Sequence, residues 1–285
     1  MKLILVSSLL AVLTAFPAAS APLPVSIINV KLKPETVAGF EHYVKATELR
    51  IDRQISRPDT FLYLDDIPGR ERILTSLQHG GLFIERLETR DASGRVLTTP
   101  DGLIHHWIGD VFIPGVSLRD VLGAVEDYND AAKFYAPEVV RSRLLSRKGN
   151  DFKVAMRFSE VKLITVTFDT VQDVRYTELD PDHWSSRSVS RRIAEVVDAG
   201  KPDEHDRPPG DDAGFLWRIN SYWRFVQQDG GVYVECESIS LTRGIPTGLG
   251  WLVGPFVTTI PQELLRNTLA DTRKAVLAAG SVRKP

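Results

Sequence analysis

The sequence predicts an α+β fold: an antiparallel sheet curled around one long C-terminal helix, preceded by an α/β extension. Three observations carry this. From 152 to 241 the chain reads as strand after strand, clearest where Phe152, Val154, Met156 and Phe158 alternate with Lys153, Ala155, Arg157 and Ser159. Between the last two strands, Gln228-Asp-Gly-Gly231 is a hairpin signal. After them, Leu264, Leu265, Thr268, Leu269, Thr272, Ala275, Val276 and Ala279 recur at spacings of three and four, with Pro261 suited to the first helical position. Gln262, Glu263, Arg266, Asn267, Asp271, Arg273 and Lys274 fall on the other side, so one stripe is apolar and one face wet.

The chain has 285 residues, enough for one large domain or two modest ones, and 43% hydrophobic with 25% charged residues is a globular balance. A net charge of -2 gives no electrostatic reason to expect nucleic acid.

Residues 1–20 read as an export signal and not as part of the fold. Lys2 is a short positive start, 3–16 an apolar run, and Ala18-Ala-Ser-Ala21 offers small residues for cleavage. The run is shorter than the roughly 20 residues of a spanning helix. The mature chain is expected to start near Ala21 or Pro22 and to be secreted or periplasmic. Cys236 is the only cysteine, so no intramolecular disulfide forms and the core alone must hold the fold.

An extension over 21–101 comes first. Pro34 opens a helix with Val37, Phe40, Val44, Thr47 and Ile51 on one face, broken at Ser56-Arg-Pro-Asp59. A short strand is expected over 60–64, a short helix over 69–77 and a strand over 82–89. A turn at Asp91-Ala-Ser-Gly94 would return 95–99 antiparallel. The second unit, 102–279, begins with a strand over 103–113 ended by Pro114-Gly115. Ser117 then caps a helix carrying Leu118, Val121, Leu122, Val125 and Tyr128. A shorter helix, 131–135, ends at Pro137. Strands follow over 139–146, 152–159, 162–176, 184–196, 215–227 and 232–241, with a polar loop over 198–212, and 280–285 form a tail.

That element order, with Tyr233-Val-Glu-Cys-Glu-Ser-Ile-Ser-Leu-Thr242 and Gly250-Trp-Leu-Val-Gly-Pro-Phe256, resembles the START-like superfamily of polyketide cyclases, lipid-transfer domains and pollen allergens. The resemblance spans about 102–279. It implies a helix-grip fold, with a cavity between sheet and last helix in which many members hold a hydrophobic ligand. It says nothing about 21–101.

The hairpin turn sets the register of the last two strands. Arg224 should face Glu235, Tyr222 face Glu237, Trp223 face Cys236 and Ser221 face Ser238. One face then carries Trp217, Ile219, Ser221, Trp223, Phe225, Val234, Cys236, Ser238 and Ser240, and is expected to look toward the helix. Large aromatics beside small residues leave room for a ligand. The alternative is that Leu264 and Leu269 fill the gap. The candidate ligand-binding residues are Trp217, Ser221, Trp223, Phe225, Cys236 and Ser238 of this face. Tyr128 and Tyr135 of the short helices join them, as do Trp251 and Phe256 of the connector over 247–258. That connector reads either as buried packing at the sheet's mouth or as a glycine-hinged cap that closes on the ligand and touches a membrane when open.

The opposite face, with Arg218, Asn220, Tyr222, Arg224, Glu235 and Glu237, reads as solvated, and Arg224–Glu235 as a surface ion pair. Ser185 to Arg192 reads as another solvated face, with Arg187 or Arg191 the candidates for a cavity arginine that anchors an acidic head group. His105 and His106, adjacent in a strand, point to opposite faces. Cys236 reads as a small core residue. No His-Glu-x-x-His, Gly-x-Ser-x-Gly, phosphate loop or dinucleotide fingerprint occurs, so no metal, cofactor or catalytic residue is assigned. The expectation is a non-catalytic carrier of a hydrophobic or amphipathic, lipid-like small molecule. A cyclase- or hydrolase-type enzyme and a cell-envelope interaction module are the alternatives.

Overall fold

Strand pairing and the last helix together make the helix-grip arrangement. The computed structural model describes residues 29–161, 165–244 and 259–282. Residues 1–20, expected to be an export signal, and the connector with Trp251 and Phe256 lie outside them. In chain order the elements are β1 (Val30–Lys31), α1 (Pro34–Ile55), two 3-10 turns (Pro58–Thr60 and Tyr63–Asp66), α2 (Arg70–Gln78) and β2 (Phe83–Arg86). Next come β3 (Gly102–Pro114), α3 (Leu118–Val125), α4 (Ala131–Phe134), β4 (Val139–Lys148), β5 (Asp151–Val161) and β6 (Thr165–Asp180). The chain continues as β7 (His183–Val197), β8 (His205–Asp206), β9 (Asp211–Asp212), β10 (Arg218–Gln228), β11 (Gly231–Arg243) and α5 (Ile260–Val282). Among the described residues, no helix is long and apolar enough to cross a membrane.

One sheet dominates, in the order β2-β3-β11-β10-β7-β6-β5-β4, with β8 paired to β7. All its pairs are antiparallel. The β10–β11 register is the one the turn predicts, from Gln228 opposite Gly231 to Trp223 opposite Cys236. Asp229 and Gly230 both have positive φ, 54° and 74°, the geometry of a tight primed hairpin turn.

The sheet's two faces are both covered. On the concave face, Val111, Phe225, Val232, Val234 and Cys236 pack with Leu118 and Val121 of α3 and with Leu265, Leu269 and Val276 of α5. Gly109 lets α5 approach: a Cβ there would stand 2.8 Å from Leu269 Cδ1 and 2.8 Å from the Phe83 carbonyl oxygen. On the convex face, Phe40, Tyr43, Val44 and Ile51 of α1 pack with Tyr222, Ile239 and Leu241. Phe61, Leu62, Leu64 and Leu77 pack with Phe112, Val226 and Tyr233. The face expected to be solvated is therefore interior.

Two local expectations fail. In place of a strand over 60–64 there are the two 3-10 turns. There the Leu62 N–H donates to Asp65 at 2.9 Å and the Tyr63 N–H to Glu235 at 2.8 Å, so side chains take donors a ladder would have used. The return strand over 95–99 shrinks to one bridge, Arg90–Val96, because Asp91 gathers the Ser93 and Arg95 N–H groups into a turn.

Candidate functional site

Between the concave sheet face and α5 lies a cavity of about 280 Å³, near the lower end of ligand-pocket sizes. Period-2 alternation builds its sheet wall, bringing Ser186 and Ser188 of β7, Ser221 and Trp223 of β10, and Cys236, Ser238 and Ser240 of β11 to one side. β5 and β6 add Met156, Phe158, Phe168, Thr170, Gln172 and Tyr176. Helix α5 supplies Ile260, Leu264, Leu265 and Thr268, and Tyr128 and Tyr135 close the side under α3 and α4. Leu269 fills the core beside the cavity and Leu264 lines it, so the two alternatives for the gap each describe part of it.

Six of the sequence-derived candidates come together here: Tyr128, Tyr135, Ser221, Trp223, Cys236 and Ser238. Phe225 does not line the cavity. It is fully buried one step along β10, stacked on Trp223 with centroids 6.1 Å apart. Trp217 does not line it either. It precedes β10, packs in the convex cluster with Phe40 and Tyr222, and donates its indole N–H to Asp212 at 2.9 Å. The alternation that placed it with Ile219 holds only inside the strand.

Neither candidate arginine reaches the cavity. Arg187 bonds Asp52 of α1 on the convex side, and Arg191 bonds Asp173 at 2.7 Å on the surface. Two serines of that run, read as solvated, face inward instead: Ser186 and Ser188 flank Arg187, are buried and line the cavity. Alternation about Arg187 carried that signal at period two, while Ser185, opposite Arg224, shares the arginine's face.

The polar groups of the cavity are hydroxyls, a thiol, two amides and three carboxylates. Tyr128 and Tyr176 share a hydroxyl contact of 2.9 Å, and burial raises both phenols. Burial pushes Tyr135 up to about 12, with its hydroxyl 3.0 Å from Thr272 Oγ1. The Cys236 thiol is driven well above its usual range by burial and by Glu235 and Glu237 behind it, so it stays a thiol and not a nucleophile. A His–hydroxyl pair stands at the cavity edge, His105 Nε2 with Thr242 Oγ1 at 2.9 Å. Burial, with Arg86 nearby, pushes His105 down to about 4, leaving a weak base at neutral pH. At the rim, exposed Asn267 donates to Glu138 at 2.7 Å, near Asp271, whose carboxyl is raised by burial and by Glu138.

A second polar cluster lies behind the same strands. Arg224, Glu235, Glu237 and Asp110 are 1%, 0%, 0% and 0% exposed, which corrects the reading of Arg224–Glu235 as a surface pair. Arg224 meets Glu235 at 2.5 Å and Glu237 at 3.1 Å, and donates to Gln54 and to the Phe61 carbonyl, each at 3.1 Å. Glu237 also accepts from Arg50 and, at 2.7 Å, from His106 Nε2. The Tyr43 hydroxyl accepts from the Thr89 N–H at 2.9 Å, which leaves its own proton for His106 Nδ1, also 2.9 Å away. Burial, then Glu235 beside it, raises Asp110 well above the carboxylate range. Protonated, it can donate to Glu235, its partner across the β3–β11 ladder. Two guanidinium groups then balance two carboxylates. Missing from the sequence reading was the cover: α1 and the 3-10 turns supply Arg50, Gln54, Tyr43 and two backbone groups. Among the described residues, no group of three or more His, Cys, Asp or Glu could hold a metal ion.

No family model matches the chain, and no curated protein matches it. Solved structures do. The STAR-related lipid transfer protein from Xanthomonas axonopodis is 18% identical over 67% of this chain and 98% of that one, with a TM-score of 0.44. Human STARD10 is 11% identical over 76% and 83%, with a TM-score of 0.43. The Zhui aromatase/cyclase from Streptomyces sp. R1128 is 18% identical over 64% and 96%, with a TM-score of 0.37. They come from the lipid-transfer and cyclase groups that the sequence resemblance points to. Identities this low carry neither a ligand nor an activity across.

Proposed function

We propose that this chain is an exported, non-catalytic binding or carrier protein for a hydrophobic or amphipathic small molecule held between the sheet and α5. The observation that supports it is the cavity itself: aromatic and aliphatic side chains with convergent hydroxyls and, among the described residues, no strong base or activated nucleophile. Native mass spectrometry of the mature protein, with organic extraction, tests it. A co-purifying or titratable small amphiphile is expected. Empty protein from several expression hosts, with no fatty acid, monoglyceride or isoprenoid bound on titration, overturns it.

Export belongs to this reading and rests on the sequence of residues 1–21. N-terminal sequencing of the periplasmic or extracellular fraction should find a start near Ala21 or Pro22, and intact Met1 in the cytosolic fraction contradicts it. The connector over 247–258 would act as the cap, with transient membrane contact through Trp251 and Phe256. Trp251→Ala then weakens binding or transfer at little cost in stability. A loss of about 3–5 kcal/mol with unchanged affinity per folded molecule would instead mark a packed core tryptophan.

A further inference from the structure

The polar groups that face the cavity limit the charge its ligand can carry. Ser188, Ser221 and Ser238 are direct neighbours across β7, β10 and β11, a row of hydroxyls about 4.8 Å apart running across the strands. Ser186, opposite Trp223, and Ser240, opposite Ile219, extend it to either side. Ser188 is occupied, donating to Gln172 at 2.7 Å. Ser186 and Ser240 are 3% and 6% exposed and line the cavity, yet neither hydroxyl bonds another described residue; the same holds for Ser221 and Ser238. The charged residues lining the cavity are Glu138, Glu160 and Asp271, all acidic; no Lys, Arg or His lines it among the described residues. Outside the described residues, 245–258 contains no basic residue in its sequence, and 162–164 contains one, Lys162, two positions after Glu160.

We infer that the cavity takes an uncharged amphiphile carrying several oxygen functions, and turns away free acids and phosphates. This rests on the carrier reading and narrows it. A hydroxyl can donate or accept, so a row of them matches alcohols, ethers, ketones and esters alike. A carboxylate or phosphate entering the cavity would give up its hydration with no cation among the described lining residues to meet it, and with Glu138 and Asp271 at the rim. A bare hydrocarbon would leave the serine hydroxyls dry and unpartnered. The expected ligand therefore has an apolar body, for the aromatic and leucine walls, and neutral oxygens spaced to meet adjacent strands.

The test uses the mature protein and matched ten-carbon probes: the glycerol monoester, the primary alcohol, the carboxylic acid and the primary amine. Binding is read at about pH 8, where the acid is ionised, by tryptophan fluorescence and calorimetry. The monoester should bind at least about tenfold tighter than the acid. The double variant Ser221→Ala/Ser238→Ala should lose several-fold in monoester affinity and little in alcohol affinity, with its melting curve checked alongside. An acid that binds as tightly as the monoester overturns the inference. So does an amine that binds tighter, since the rim carboxylates would then be the readers. An unchanged monoester-to-alcohol ratio in the double variant removes the serine row from recognition. If none of the probes, isoprenoids included, binds, the carrier reading fails and the inference falls with it.

Discussion

On the concave side of β7, β10 and β11, serine hydroxyls meet a cavity; on the convex side of the same strands, arginines and carboxylates meet α1 and the 3-10 turns. Both sets are buried polar groups, and they differ in what burial demands. An unpartnered hydroxyl inside a protein costs a modest amount and can be repaid by a ligand, so it can be left waiting. A buried guanidinium or carboxylate left unpaired is far more costly, so it is met at once by Gln54, the Phe61 carbonyl, the Tyr63 N–H and Arg50. The convex ion pairs find their partners in the protein, whereas the hydroxyls of Ser186, Ser221, Ser238 and Ser240 bond no other described residue. The difference explains why 29–101 cannot be a dispensable appendage: it supplies the partners of the convex charges.

The sharpest way to break this contrast is Arg224→Ala, which leaves Glu235 without a cation in the interior and takes one of the two guanidinium groups from Glu237. Chemical denaturation should show a loss of about 3–5 kcal/mol, with ligand affinity per folded molecule unchanged. A loss below about 1 kcal/mol would mean the network does not hold α1 to the sheet. Next in size is Gly109→Ala, which drives a methyl against Leu269 and the Phe83 carbonyl. It should cost about 1–3 kcal/mol and, by shifting α5, alter the cavity as well.

Titration separates the faces further. The folded pKa of Asp110 is raised, so its contribution to stability is full below its unfolded value of 3.8 and is lost as pH rises through the folded value. Asp110→Asn should therefore flatten the decline in urea midpoint toward alkaline pH; an identical decline in both proteins would place the titrating group elsewhere. Glu237 has the opposite sign. Burial alone would raise it, but the hydrogen bond from His106 and the Arg50 and Arg224 charges bring it down to about 2. Its stabilisation is present above 4.5 and lost as pH falls toward about 2, and Glu237→Gln should remove that part of the acid limb. Smallest of all should be Ser186→Ala, within about 0.5 kcal/mol in stability, because its hydroxyl bonds no other described residue. A much larger loss would show that Ser186 is structural and not held open for a ligand.

Much of the concave face was legible. Local rules govern it: an Asp-Gly turn sets register, register pairs Trp223 with Cys236 and Ser221 with Ser238, and a stripe at helical spacing finds the one apolar surface long enough to receive it. Ser186 and Ser188 were equally available from alternation, but Arg187 and Arg191 made the strand read as wet. Trp217 was misplaced because it lies before the strand whose period was extended to it.

What the sequence determined by itself is therefore the element order from 102 onward, the β10–β11 register and which residues within those two strands share a face, since each follows from contacts within a few residues or across one turn. Which faces are covered was decided by tertiary structure. Arg224, Glu235 and Glu237 have the composition of a solvated surface. Only the docking of α1, more than 160 residues earlier in the chain by the Gln54 and Phe61 contacts, turns them into an interior network. Alternation reports that two faces differ; it carries no information on what lies against each of them, because that depends on partners far away in sequence.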